Sequence, residues 1–296
     1  MQGWIVSHLE DSPSVALLCE AAHTLGHALA LVHPRDCLLD LRGGRPPRAA
    51  NAAADPDFAI TRLSGTAPGS AIAVVRALEG AGVTCLNTAE SLERVRDKVR
   101  MAQALAAGDA PMPESLVPNE GLSAAVAFDL LGGAGVVVKV TRGSKGAGVM
   151  LCESVAALQG LMDMLRALGE DFLLQRAVTE SFGVDVRVLV LQGRAVAAMR
   201  RRGARGDFRA NLHAGGTAEA SPPTPAQRSI AEAAAIRLGL DIAGVDLLES
   251  ASGPLLIEVN GSPGLAGISE ATGLDLASEI VRMVVARASR GWTSAA

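Results

Sequence analysis

Three oxygen-bearing side chains interrupt an apolar hairpin late in the 296-residue chain: Asp246 in Ala243-Gly-Val-Asp-Leu-Leu-Glu, then Glu258 and Asn260 in Pro254-Leu-Leu-Ile-Glu-Val-Asn. Both runs have strand character, and Ser-Ala-Ser-Gly between them is a turn signal. Alternate strand residues share a face, so Glu258 and Asn260 point the same way. Folding about the turn sets Asp246 roughly opposite residues 257 and 258. Two carboxylates and an amide carbonyl, with no sulfur or imidazole beside them, suit a hard cation such as Mg²⁺ whose other positions go to phosphate oxygens and water. The plainer reading is a pair of solvated acids on an amphipathic hairpin. The Val, Leu and Ile around them and the Gly261-Ser-Pro-Gly turn that follows favour the metal.

Cations that could meet phosphate lie upstream. Lys139 is the one charge in the strand-like run Gly135-Val-Val-Val-Lys-Val. A buried-strand lysine needs a partner, and an anionic ligand would serve; a lysine that snorkels from a strand edge is the alternative. Thr141-Arg-Gly-Ser-Lys-Gly-Ala-Gly follows directly, and its backbone N–H groups could close over phosphates, with Arg142 and Lys145 adding charge. It is no Walker A sequence, and a plain Gly-rich hairpin turn is the commoner meaning; Lys139 two residues upstream is what raises the phosphate reading. Arg200, Arg201, Arg202, Arg205 and Arg209 form the densest cationic segment; a solvated face accounts for residues 200–202 as well as ligand binding does. Arg209 and Asn211 sit two apart in the Gly-bounded loop 206–216, where a guanidinium and an amide could hold phosphate or carboxylate oxygens. His213 could act as a base, though a structural or solvated histidine is the commoner meaning.

The elements that must position these residues fall into two kinds. Strands over 4–7, 28–32, 58–61 and 83–86 alternate with helices over 13–26 and 67–82, the pattern of a parallel sheet with helices on its faces. Asn87-Thr88 should cap the next helix. A basic helix should run from Glu93 to Gly108, and Pro111, Pro113 and Pro118 mark a connector. Beyond it come a helix over 122–131, the two strands around the Gly-rich loop, a helix over 154–168, a strand over 171–178, a hairpin over 185–191 and 194–199, a helix over 225–238, the metal hairpin, and a closing helix over 275–290 capped by Asp275. The first lobe lacks G-x-G-x-x-G, so dinucleotide binding has weak support.

Composition narrows the classes further. The apolar share of 49% can fill a real core, and a net charge of -4 with two Trp, five Phe and no Tyr argues against a nucleic-acid binder. No apolar run reaches the roughly 18 residues a bilayer span needs, so a cytoplasmic, non-membrane protein is expected. Cys19, Cys37, Cys85 and Cys152 lie far apart and read as reduced core thiols rather than a zinc or redox site.

In order, Arg-Asp-Lys98, Val-Val-Val-Lys139, the Gly-rich loop, Gln-Arg-Ala-Val178, Gly-x-Asp185-x-Arg187, Gly-Asp-Phe-Arg209-Ala-Asn211-Leu-His-x-Gly-Gly, Ala-Gly-Val-Asp246 and Glu258-Val-Asn260-x-Ser-Pro-Gly resemble the ATP-grasp ligases, and closely the RimK-like α-L-glutamate ligases. The likeness covers nearly the whole chain. It implies an α/β and α+β architecture, an ATP-grasp fold with an amino-terminal α/β pre-ATP-grasp lobe over 1–92, a central lobe over 93–178 and a carboxy-terminal lobe over 179–296. ATP would lie between the last two. The resemblance implies that Lys98, Lys139 and the loop, including Gly143, Ser144, Gly146 and Gly148, hold phosphates, and that Gln175, Arg176, Ala177 and Val178 meet adenine. Asp185 would meet the ribose, Arg209 and Asn211 the phosphates and an acyl phosphate, and Asp246, Glu258 and Asn260 two Mg²⁺, for which Mn²⁺ can stand in. One departure stands out: the family usually has Glu at Arg176 and an aromatic residue at Ala177, which puts side-chain contributions to nucleotide selectivity in doubt.

The implied reaction is ATP-dependent joining of L-glutamate to a carboxylate acceptor through an acyl phosphate, by a homo-oligomer. The acceptor would be a pterin- or deazaflavin-type cofactor or a protein carboxy terminus, and the arginine cluster suits a carboxylate-rich one. A ligase for another amino acid, a kinase, and a non-catalytic ATP-binding regulatory protein are the rivals. Asp246→Ala and Glu258→Ala are expected to abolish turnover without unfolding the protein.

Overall fold

The computed structural model describes residues 1–290 apart from Glu10, Gly43, Ala53, Ser144, Lys145 and 211–214. In the first lobe, β1 (Gln2–Ser7), α1 (Pro13–Thr24), β2 (Ala28–Val32), the short pair β3 (Cys37–Leu38) and β4 (Arg48–Ala49), β5 (Phe58–Arg62), α2 (Gly69–Gly80), β6 (Thr84–Leu86) and α3 (Ala89–Arg96) follow one another. Its main sheet has the order β2-β1-β5-β6 and is parallel throughout. The expected alternation of apolar strands with amphipathic helices produces this, because parallel neighbours need a helical crossover.

The expected helix over 93–108 is two helices. Asp97 leaves the helical region and caps α4 (Lys98–Ala106), its side chain accepting from the N–H groups of Val99 and Arg100. A short acidic side chain competes for orphan helix-start donors, which makes it a good cap and a poor interior residue. The break turns the chain so that Met101 and Leu105 pack into the core of the carboxy-terminal lobe rather than the central one.

The central lobe contains β7 (Ser115–Leu116), α5 (Ala124–Leu130), β8 (Val136–Val140), β9 (Val149–Cys152), α6 (Val155–Ala167) and β10 (Phe172–Arg176), in an antiparallel sheet of order β7-β10-β8-β9 with its own core. The third lobe is an antiparallel sheet of order β13-β12-β11-β14-β15, built from β11 (Val184–Leu191), β12 (Arg194–Arg202), β13 (Thr217–Ala220), β14 (Ile242–Ser250) and β15 (Gly253–Asn260), with α7 (Pro225–Leu238), α8 (Ala266–Thr272) and α9 (Leu276–Ser289). Strand β12 runs three residues past its expected end at Met199.

The period of two divides this sheet's labour. Val186, Val188 and Val190 face the core shared with α7 and α4, while Leu189, Leu191, Ala197, Met199 and Ile242 face a core shared with Ile5, Leu18, Phe58 and Ile60 of the first lobe and with α9. The first and third lobes are therefore fused through one hydrophobic core. Asn87, expected as a cap, is fully buried and pins the same seam: its Nδ2 donates to the carbonyls of Ile242 and Gly261, both at 2.7 Å, and its Oδ1 accepts from the N–H groups of Asp241 and Ile242 at 2.7 and 2.9 Å. Thr88 alone caps α3.

Candidate active site

The apolar face that joins the third lobe to the first continues, at its other end, as a charged one. Pairing sets Asp185 opposite Arg201, Arg187 opposite Asp246, and Asp246 opposite Glu258, with Asn260 two residues on from Glu258. The register expected for Asp246 and Glu258 is the one found. Arg187 Nε and Nη2 donate to Asp246 Oδ1 and Oδ2, both at 2.7 Å. Arg201 grips both oxygens of Asp185 at 2.7 and 2.5 Å and lies 2.8 Å from Asp246 Oδ2. Asp185, Arg201 and Asp246 are all buried.

Burial pushes both carboxyls upward, and what separates them is arginine. At Asp246, Arg187 and Arg201 outweigh burial and leave the pKa below the ordinary carboxylate value. At Asp185, burial and then the Asp246 charge prevail over Arg201, and the carboxyl rises to about 6. Arg201 is held above its ordinary value because the two carboxylates outweigh its own burial.

The arginine run therefore does not form a solvated face. Arg201 is buried, Arg200 forms a two-pronged pair with Glu249 at 2.7 and 2.8 Å, and only Arg202 of the three is exposed. Strand alternation through residue 202 is the signal that separates Arg201 from its neighbours. Arg201 is thus paired with Asp185 and Asp246, and Arg200 with Glu249.

From the central lobe, Lys139 lies in the middle of the sheet and is buried, its Nζ donating to Gln175 Oε1 at 2.7 Å; Gln175 Nε2 donates in turn to Ser115 Oγ at 2.9 Å. Burial pulls the Lys139 ammonium down to about 8, with Lys98 adding to the fall and Glu258 and Asp246 opposing it. Glu258 and Asp246 of the β14–β15 hairpin thus act on the Lys139 charge. Lys98, also buried, opens α4 with its N–H bonded to Thr141 O at 3.1 Å, and a Cβ placed on Gly143 would lie 3.7 Å from its Nζ. Two cations and the Gly-rich loop converge on one place.

That loop is the turn of the β8–β9 hairpin, closed by Val140 N–H donating to Gly148 O at 2.8 Å. It also reaches beyond the hairpin. A Cβ on Gly65 of the first lobe would lie 2.6 Å from Gly143 O, and Arg209 Nη1 donates to Gly146 O at 3.0 Å. Asp207 holds the Arg209 guanidinium with Oδ1 2.9 Å from Nε, raising its pKa through that bond, and the guanidinium stands 5.8 Å from the Phe208 ring centre. Asn211, Ser144, Lys145 and His213 lie outside the described residues.

The stretch 175–178 is less open than expected. The Gln175 side chain orients Lys139, and the N–H groups of Arg176 and Ala177 donate to Glu114 O and Gly135 O. Arg176, the departure from the family pattern, forms an ion pair with Glu114. Its charge is met within the fold.

A cation fits the donor set. A carboxylate accepts at about four positions, and Asp246 gives three to arginine N–H groups, two to Arg187 and one to Arg201. Glu258 is half-buried and opposite Asp246 in the ladder. Asn260 Oδ1 accepts from Ser262 N–H at 2.8 Å, which fixes the amide and leaves its carbonyl a second lone pair.

With this geometry in place, comparison with known proteins is direct. The RimK-like ATP-grasp domain pattern matches residues 95–284, and the RimK PreATP-grasp domain pattern matches residues 1–92. A Shewanella amazonensis protein named "Probable alpha-L-glutamate ligase 2" is 36% identical over 282 residues, which is 95% of this chain and 94% of that one. The crystal structure of a RimK domain ATP-grasp protein from Sphaerobacter thermophilus has the same fold, with a TM-score of 0.73 at 21% identity over 96% of this chain and 100% of that one. So does the ATP-grasp ligase PsnB, complexed with a phosphomimetic variant of its minimal precursor, Mg and ADP, with a TM-score of 0.75 at 20% identity over 97% and 98% of the two chains. The chain belongs to the RimK-like ATP-grasp family and is an ATP-dependent ligase.

Proposed function

We propose that the chain joins L-glutamate, through an α-linked amide, to a carboxylate acceptor by way of an acyl phosphate. One arrangement carries the reading: Asp246 stands opposite Glu258 in the β14–β15 ladder, Lys139 is buried on β8, and the Gly-rich loop touches both Lys98 and Arg209. The acceptor carboxylate attacks the γ-phosphorus of ATP and ADP departs; the glutamate amine then attacks the acyl carbon and phosphate departs. Bound Mg²⁺, as two ions held by Asp246, Glu258 and Asn260, would neutralise and align the phosphate oxygens. Lys98, Lys139 and Arg209 hold the remaining oxygens, Arg187 and Arg201 keep Asp246 ionised and oriented, and Gln175 aims Lys139. The work is positioning and charge neutralisation, with no side-chain nucleophile.

The relatives' printed name supports glutamate, and PsnB's complex with its minimal precursor makes a peptide one acceptor to test. The relatives' printed name favours a ligase over the regulatory reading. Incubation with ATP, Mg²⁺, labelled glutamate and either a peptide ending in glutamate or cell extract should give products heavier by one or more glutamyl units. ADP release that needs no amine would instead identify a kinase.

A further inference from the structure

Arg62 ends strand β5 and is only 7% exposed. Its Nη2 donates to Pro263 O at 2.5 Å, while Nε and Nη1 are buried with no acceptor among the described residues. Burial pulls its pKa down to about 10, with no carboxylate opposing. A buried guanidinium without a counter-charge is expensive, and folded chains normally supply one. Arg187 and Arg201 have theirs.

The topology points to what is missing. In the sheet order β2-β1-β5-β6 the chain leaves β1 to one side for β2 and returns on the other at β5. Open parallel sheets bind ligands outside the carboxyl ends of their strands at such a switch. Ser7 and Arg62 form the last rung of the β1–β5 ladder. Across the seam stands the turn that follows Asn260, with Ser262 Oγ accepting from Leu63 N–H at 3.0 Å. Arg62 thus lies at the first lobe's switch point and beside the candidate cation site.

We propose that Arg62 forms the base of a carboxylate-binding subsite whose ligand is a free carboxylate of the incoming amino acid. The inference rests on the ligase reading and deepens it. A planar fork matches a carboxylate, and the cations assigned to phosphate come from the other two lobes.

The test compares Arg62→Met and Arg62→Lys with the parent in amino-acid-dependent ADP release, at saturating acceptor, with melting transitions recorded for each. Arg62→Met should raise the KM for L-glutamate about 10- to 100-fold, the range a charge-assisted hydrogen bond supports, and Arg62→Lys several-fold, with the KM for ATP within about twofold of the parent. Should Arg62→Met not fold, Arg62→Lys carries the comparison. An unchanged KM for the amino acid, or an equal rise for ATP, overturns the subsite. If another amino acid drives release, the glutamate assignment falls and Arg62 is judged on the KM for that one; if no amine is needed, both readings fall.

Discussion

Arg187 holds both oxygens of Asp246 at 2.7 Å, and Arg201 stands 2.8 Å from one of them. The residue best placed to bind a cation is therefore also the counter-ion of two arginines.

That double duty separates the two carboxylates of the hairpin. Asp246→Asn should abolish turnover and also destabilise the fold by about 3–5 kcal/mol, the range for breaking a buried ion pair. Glu258→Gln, half-buried and without an arginine on its oxygens among the described residues, should lose about 10²- to 10³-fold in rate while keeping its urea midpoint. Equal midpoint losses in the two variants would break the distinction.

Lys139 should give the enzyme an alkaline limb. Its ammonium is held at about 8 against an ordinary 10.5. Between those values the unfolded chain keeps a proton the folded chain has shed, so this group makes stability rise with pH across that window. Nucleotide capture runs the other way, because the cation facing phosphate is lost. A plot of kcat/KM for ATP against pH should fall above about pH 8; a flat profile to higher pH would remove Lys139 from the phosphate contacts.

Asn87→Ala should weaken the seam between the first and third lobes. It strands two carbonyls and two N–H groups that the amide now satisfies, a loss on the order of 3 kcal/mol or more. Chemical denaturation measures it, and the KM for ATP should not move.

Gly203→Ala should act on catalysis through Arg209. A Cβ at Gly203 would fall 2.0 Å from Arg209 O, so the loop that carries the guanidinium must shift. A displacement near 1 Å can cost about 10²-fold. The rate should fall with the unfolding transition little changed, and a normal kcat would show that the loop absorbs the methyl group freely.

Much of this architecture is legible in the sequence because hydrophobic period and turn chemistry agree, as in the hairpin that sets Asp246 opposite Glu258. What stays hidden has one physical cause: a polar residue's environment depends on partners far along the chain. Asn87 reads as a cap because its neighbours 155 and 174 residues away cannot be seen from its own segment. Arg201 reads as part of a surface run until β12 is carried past Met199, when alternation turns it inward to Asp185. Asp97 reads as one more charge in a basic helix, whereas its side chain ends one helix and begins the next.

That break leaves Lys98 answering to two bodies. Its helix is rooted in the third lobe through Met101 and Leu105, while its first peptide is tied to Thr141 of the central lobe. The lysine is thus carried by one lobe and leashed to another, so its position is set by both at once.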